Sequence, residues 1–359
     1  MDSMSLAMVV LIVLGLAWAN GANDIAKGVA TLMGAGVSSA KQALAWGAFC
    51  TTLGGLAAVI WGAALLKAFS SGYVSADFPI TEAFIFGSLS GALFWLLIAN
   101  LKGLPVSTTH ALLGGIVGAA LMIAGPTGIK TGAVTYKALL PLLLSPLIAI
   151  LLCWGLILVF RQFSKTTPQW QPGCCEESEW HEDPYRCAPT PSKLVLKQRR
   201  IWHLLHWLSA GATSFARGMN DVPKIAAFLL ITLSAQDGNI FGEYTSLLVI
   251  CTVTITMVFG GLWGGMRILH VLAGKVTRMD EKQGLIANLG TSSLVLFASP
   301  LGIPVSTTHV STGSLMGIRW GDKQKPHEND ALKSILIAWL VTLPFAGSIA
   351  ALTTFLLQR

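Results

Sequence analysis

Apolar residues fill long, nearly unbroken runs at 5–34, 40–66, 82–100, 104–124 and 137–160, and again at 203–234, 245–265, 284–300, 303–318 and 333–356. Roughly 20 consecutive apolar residues make a helix long enough to cross a bilayer. Helix satisfies every backbone polar group within one segment, so it is the structure such runs adopt in lipid. The pattern predicts an all-α polytopic membrane protein with about five crossings in each half. Because five is odd, the second half enters the membrane upside down relative to the first. The first run lacks the basic flank of a secretory signal and leads straight into a polar motif, so it is read as a retained helix.

The stretch 161–202 breaks the pattern with charges of both signs and five prolines between Pro168 and Pro191. It divides the chain into a first transmembrane repeat at 1–160, a cytoplasmic linker loop at 161–202 and a second transmembrane repeat at 203–359. Composition agrees with lipid as the solvent: 53% of the 359 residues are hydrophobic, 11% are charged, and the mean hydropathy is +0.65. A soluble globular protein is excluded. The net charge of +7 serves topology rather than nucleic-acid binding. With the amino terminus outside, 17 Lys and Arg residues fall on inner segments and 4 on outer ones, as the positive-inside rule requires. Both termini are then expected outside a cell membrane and the linker in the cytoplasm.

Two motifs interrupt the apolar runs, and each occurs twice. Asn23-Asp24 recurs 197 positions on as Asn220-Asp221, and Pro105-Val-Ser-Thr-Thr-His110 recurs unchanged 199 positions on as Pro304 to His309. Such spacing marks an internal duplication, here an inverted-topology repeat with broken or re-entrant helices at the motifs. A carboxylate at membrane depth is costly and normally lines a polar cavity or pairs with another group. Asp24 and Lys27 are one helical turn apart, as are Asp221 and Lys224, so a purely structural pair is the competing reading. Ser107, Thr108, Thr109 and their counterparts Ser306, Thr307 and Thr308 supply hydroxyls that can donate to an anion without a buried positive charge. The competing reading has them bonding back to their own helix. His110, His309 and Arg217 are accessory candidates; the competing reading of the two histidines is that they only stabilise the turn. Glycines around the Asn-Asp motifs and Pro223 are expected to weaken regular helix there.

These groups together suit a tetrahedral oxyanion. The carboxylates would repel it unless a cation or proton neutralised them, so the substrate candidates Asn23, Asp24, Lys27, Asn220, Asp221, Lys224 and the six hydroxyls imply cotransport. Asn23, Asp24, Asn220 and Asp221 are the expected seat of the coupling ion.

At this point the residues resemble the inorganic phosphate transporter (PiT) family. Gly21-Ala22-Asn23-Asp24 matches the start of its Gly-Ala-Asn-Asp-Val-Ala-Asn motif, and both Pro-Val-Ser-Thr-Thr-His elements resemble its second repeated motif. The likeness covers both halves. It implies an inverted-repeat helical transporter that carries phosphate with sodium or protons, its motifs lining the site; some members carry sulfate. This chain departs from the pattern at Lys27 and Lys224, where the family motif usually ends in Asn. Its second copy also has Arg217, Met219 and Pro223 where the first has Asn20, Ala22 and Ala26. The ammonium groups either occupy the space of a sodium ion or strengthen anion binding directly, so sodium and proton both stay open as the coupling cation.

No cofactor and no catalytic set is expected, because no nucleophile, base and oxyanion donors fall into unlike roles. A passive anion channel is the rival from another class. Cys174, Cys175, His181 and Cys187 contain zinc-ligand types, but without paired Cys-x-x-Cys spacing a reduced-thiol reading is preferred. Phosphate or a similar oxyanion and the lipid bilayer are the expected partners, with no nucleic acid; a homo-oligomer stays open.

Overall fold

A computed structural model describes residues 2–163, 193–237, 243–275, 279–322 and 329–359. Eleven helices follow one another among them: α1 (Ser3–Gly34), α2 (Ala40–Trp61), α3 (Ala63–Lys67), α4 (Glu82–Lys102), α5 (Thr108–Ala124), α6 (Leu140–Phe163), α7 (Lys193–Asp237), α8 (Glu243–Lys275), α9 (Glu281–Ala298), α10 (Thr307–Asp322) and α11 (Asn329–Leu357). The only β pairing among the described residues is an isolated bridge between Val74 and Ile129. The protein is all-helical, as the apolar runs predict. Seven of the described helical segments, those of α1, α2, α4, α5, α6, α8 and α11, are long and apolar enough to span a bilayer. Large apolar side chains such as Ile60, Leu143, Trp263, Phe297 and Leu340 face outward on these and neighbouring helices, which is stable only against lipid. Polar insertions explain the remainder: α7 carries Arg217, Asp221 and Lys224, and α10 has only 16 residues.

The inverted repeat is visible in helix directions. A five-residue turn joins α1 to α2, capped by Ser39 in a reciprocal capping box with Gln42, so those two helices run oppositely. Along α2 and α7 the contacts advance together, from Trp46 bonding to the Trp207 carbonyl to Thr51 bonding to the Ser214 carbonyl and then to Gly62 against Pro223. The two helices are therefore parallel, and α7 runs opposite to α1, its counterpart in sequence. The α1–α8 pair repeats this arrangement, with Asn20 against Met257, Gly21 against Gly261 and Ala22 against Gly264. Each half thus buries its first helix against the second helix of the other half.

The segments 82–100 and 104–124 form one helical hairpin. Its two ends are tied by the Val74–Ile129 bridge, with Ser75 N donating to Gly128 O at 2.9 Å and Lys130 N to Tyr73 O at 3.0 Å. The hairpin leaves and returns on one side, so the odd parity of the half is unchanged. Gly103 turns its tip in the left-handed conformation, φ 70°, and Gly302 turns the α9–α10 hairpin in the same way, φ 68°. A side chain would be strained at either point.

Of the repeated motifs, only the Pro-Val-Ser-Thr-Thr-His elements fall at helix breaks. At the Asn-Asp motifs α1 and α7 run on unbroken, contrary to the weakening expected from glycine and Pro223. Glycine serves a different purpose there: a Cβ at Gly21 would collide with the Met257 carbonyl, and one at Gly28 with Ser214. Small residues let the helices of opposite halves approach closely. Helix also reaches into both ends of the proposed linker, to Phe163 and from Lys193. Its middle, with Cys174, Cys175, His181 and Cys187, lies outside the described residues.

Candidate functional site

The Asn-Asp motifs sit at the crossing of α1 and α7, and both hairpin tips converge on it. Asn23, Asp24, Lys27, Arg217, Asn220, Asp221, Lys224 and all eight positions from Ser107 to His110 and Ser306 to His309 are buried. A centre this polar inside apolar helices holds together only if its groups satisfy one another.

The lysines do so in two matching clasps. Lys27 pairs with Asp24 and also donates to Val106 O at 2.6 Å and to Thr308 Oγ1 at 2.7 Å. Lys224 pairs with Asp221 at 3.3 Å and donates to Val305 O at 3.4 Å and Thr109 Oγ1 at 2.8 Å. Each ammonium therefore spends its three N–H groups on a carboxylate of its own helix, a carbonyl of its own half's tip and a hydroxyl of the other half's tip. The hydroxyls close the loop: Thr308 donates to Val106 O at 2.9 Å and Thr109 to Val305 O at 3.3 Å. The Asp–Lys pairs of the structural reading form, and both lie in the shared centre.

The remaining candidates divide by role. Asn23 accepts from Val106 N at 3.1 Å and donates to Leu104 O and to Asn100, while Asn220 bonds Val305 O, Asp221 and Ser299; the amides thus fasten the tips. Ser107 and Ser306 cap α5 and α10 by accepting from His110 N and His309 N, both at 3.2 Å. Thr108 donates to Asn20, and the Thr307 carbonyl accepts from Arg217 at 3.3 Å. The imidazoles of His110 and His309 meet with ring centroids 4.4 Å apart, and His309 stacks on Trp339 at 3.7 Å.

Among the described residues the buried Asp, Lys and Arg side chains are Asp24, Lys27, Arg217, Asp221 and Lys224, three cations against two carboxyls. Asp24 and Asp221 share this buried centre. Two ionised carboxylates there repel each other, which a proton or a cation relieves. Arg217 lies 3.9 Å from Asp24 and donates to Ser311 Oγ at 3.0 Å, while its Nε and Nη1 find no hydrogen-bond acceptor. No group of three or more His, Cys, Asp or Glu placed to hold a metal occurs among the described residues.

A recess leads from this centre towards the end of the bundle where α7 begins. It is lined by Lys27 and Thr308 next to the centre and by Thr31, Thr213, Asn288, Thr291, Ser311 and Thr312 above, with the apolar Ala30, Pro105, Leu272, Ala287 and Leu315 completing the wall. None of those upper residues was singled out from sequence, nor were Asn100 and Ser299. Asn100 and Ser299 carried a readable signal, since both are polar and occupy matching positions five residues before the repeated proline.

Residues 20–350 match the model of the phosphate transporter family, named PHO4. A protein of Rhizobium meliloti described as a "probable low-affinity inorganic phosphate transporter" is 28% identical over 344 residues, covering 94% of this chain and 91% of its own length. A Mycobacterium tuberculosis protein of the same description is 28% identical over 359 residues, covering 97% and 76%. Among solved structures, one titled "The sodium-dependent phosphate transporter" superposes with a TM-score of 0.85 over 99% of both chains at 23% identity, a likeness of fold. These relatives are transporters, not enzymes. The chain is a multi-pass membrane protein and belongs to the phosphate transporter family.

Proposed function

We propose that this protein is a secondary transporter that carries inorganic phosphate across the cell membrane by alternating access to the central site, in symport with a proton rather than sodium. The observation that carries the reading is the pair of lysine clasps. Each ammonium sits among one carboxylate, one carbonyl and one hydroxyl oxygen, the hard oxygen ligands a small cation would otherwise use. Lys27 and Lys224 are thus tethered cations in place of exchangeable ones. The exchangeable charge is then a proton carried by one of the two buried aspartates.

Phosphate is favoured over sulfate by Asp221, whose buried Oδ2 receives no protein donor. A protonated phosphate oxygen can donate to it, whereas sulfate has no donor, and a site built around such a bond rejects a ligand lacking it. The charge split of the sequence orients the linker inwards, which turns the recess to the cytoplasm. The two inverted halves, sharing one site, supply the two-state element that alternating access needs.

The test is uptake of labelled phosphate into sealed proteoliposomes. A transporter accumulates phosphate above the outside concentration when a proton gradient is imposed, and excess sulfate competes weakly. Flux that only equilibrates would make it a channel, and stronger competition by sulfate than by unlabelled phosphate would reassign the substrate.

A further inference from the structure

Arg217 has no equivalent in the first half, where the matching position is Asn20. Asn20 is satisfied, accepting from Thr108 and contacting the Met257 sulfur. Arg217 is not: it is 1% exposed, yet two of its three guanidinium nitrogens find no hydrogen-bond acceptor. The lysines have used all their donors on protein oxygens. Arg217 is therefore the one cation of the centre with directed N–H groups to spare.

Its surroundings fit an anion. Asp24 at 3.9 Å is too distant for a hydrogen bond but near enough to attract the guanidinium. Ser311 accepts from Nη2 and also lines the recess, so Arg217 stands one hydroxyl behind the recess wall. A buried charge without full pairing is costly and is retained where a counter-ion arrives. The planar fork of arginine suits two oxygens of a tetrahedral oxyanion.

We infer that Arg217 is the residue that grips the oxyanion, seating it off the pseudo-two-fold axis on the second half's side, and that it makes the site select a divalent ion. Arg217 adds one positive charge beyond the two Asp–Lys pairs, so the centre attracts a dianion more strongly than a monoanion. Facing groups that could alter this balance are His110 of α5 and His309 of α10, whose rings stack on each other beside the clasps. Without Arg217 that extra attraction is lost. This inference rests on the phosphate-transport reading above.

The experiment compares wild type, Arg217→Asn and Arg217→Lys in proteoliposomes, measuring phosphate uptake with the external pH stepped across the second ionisation of phosphate and with sulfate as competitor. In Arg217→Asn, which copies Asn20, the KM for dianionic phosphate should rise about tenfold to a hundredfold, the scale of a charge-assisted bidentate bond. The monoanion should be affected far less, and the weak competition by sulfate should fall further. Arg217→Lys keeps the charge and protects the fold; it should retain dianion preference with a KM raised several-fold. Wild-type KM and sulfate inhibition in both variants would overturn the inference while leaving phosphate transport standing. A uniform drop in maximal rate with unchanged KM in Arg217→Lys would make Arg217 structural and overturn it equally. Absence of phosphate uptake by wild type would instead sink the underlying function.

Discussion

The two flanks of the central site descend from the same ancestral halves yet have opposite character. On the flank next to the start of α7, Thr31, Thr213, Asn288, Thr291, Ser311 and Thr312 line the recess. The repeat spacings place Phe228, Leu16, Leu89, Ala92, Leu112 and Leu113 at the matching positions on the other flank, and all six belong to a buried apolar cluster. The contrast continues outward. His206 and Asn288 both hydrogen-bond the Thr31 hydroxyl, at 3.1 and 2.9 Å, where Val9, Leu89 and Phe228 pack against one another's cluster. Duplication preserved the chemistry of the centre and let the flanks diverge. One flank carries hydroxyl and amide groups among its apolar residues, and the other is closed by buried apolar side chains.

The centre should show the symmetry most harshly. Lys27→Met and Lys224→Met each remove the ammonium that pairs with a buried aspartate, a loss of about 3–5 kcal/mol. Thermal unfolding in detergent should show similar destabilisation in both, and uptake should vanish. A marked difference between the two would mean that the clasps are not equivalent.

The sealed flank should yield next. Leu112→Ser, which copies Ser311, removes buried apolar volume and should destabilise by about 2–4 kcal/mol. In that background a Leu113→Cys probe should be labelled by a membrane-impermeant thiol reagent from the side opposite the linker. The same probe in wild type should stay protected; equal labelling of both would break the contrast of flanks.

On the open flank the effects should be smaller. Asn288→Ala removes the donor to Thr31 and should cost about 1–2 kcal/mol, while slowing uptake more than it alters KM, because the recess leads from the site rather than forming it. A changed KM with an unchanged rate would place Asn288 in the binding site itself. Smallest should be Ser107→Ala and Ser306→Ala, each losing a helix cap at about 1 kcal/mol. Calorimetry of the two should agree, since both hairpins are capped alike.

Much of this was legible in the chain. Asp24 and Lys27 stand out because charge is expensive in an apolar run, and their recurrence as Asp221 and Lys224 gave both the duplication and its inversion by parity. The fold of α4 and α5 as one hairpin was less accessible, because it depends on the left-handed turn at Gly103 and the distant Val74–Ile129 bridge. Gly21 and Gly28 suggested a weakened helix, yet they serve helix contact, and only the position of Met257 and Ser214 reveals it. Cross-half bonds such as Lys27 to Thr308 join residues 281 positions apart, and no local spacing encodes them. The recess escaped notice because its threonines look like ordinary helix residues until the apolar flank is set beside them.

The claim that Lys27 and Lys224 take the place of an exchangeable cation is tested most directly by phosphate uptake with external sodium replaced by choline, in wild type and in Lys27→Asn with Lys224→Asn. Uptake by wild type should be unchanged in choline and should collapse when the proton gradient is dissipated, while the double variant should become dependent on sodium. Wild-type uptake that fails in choline and returns with sodium would contradict the account.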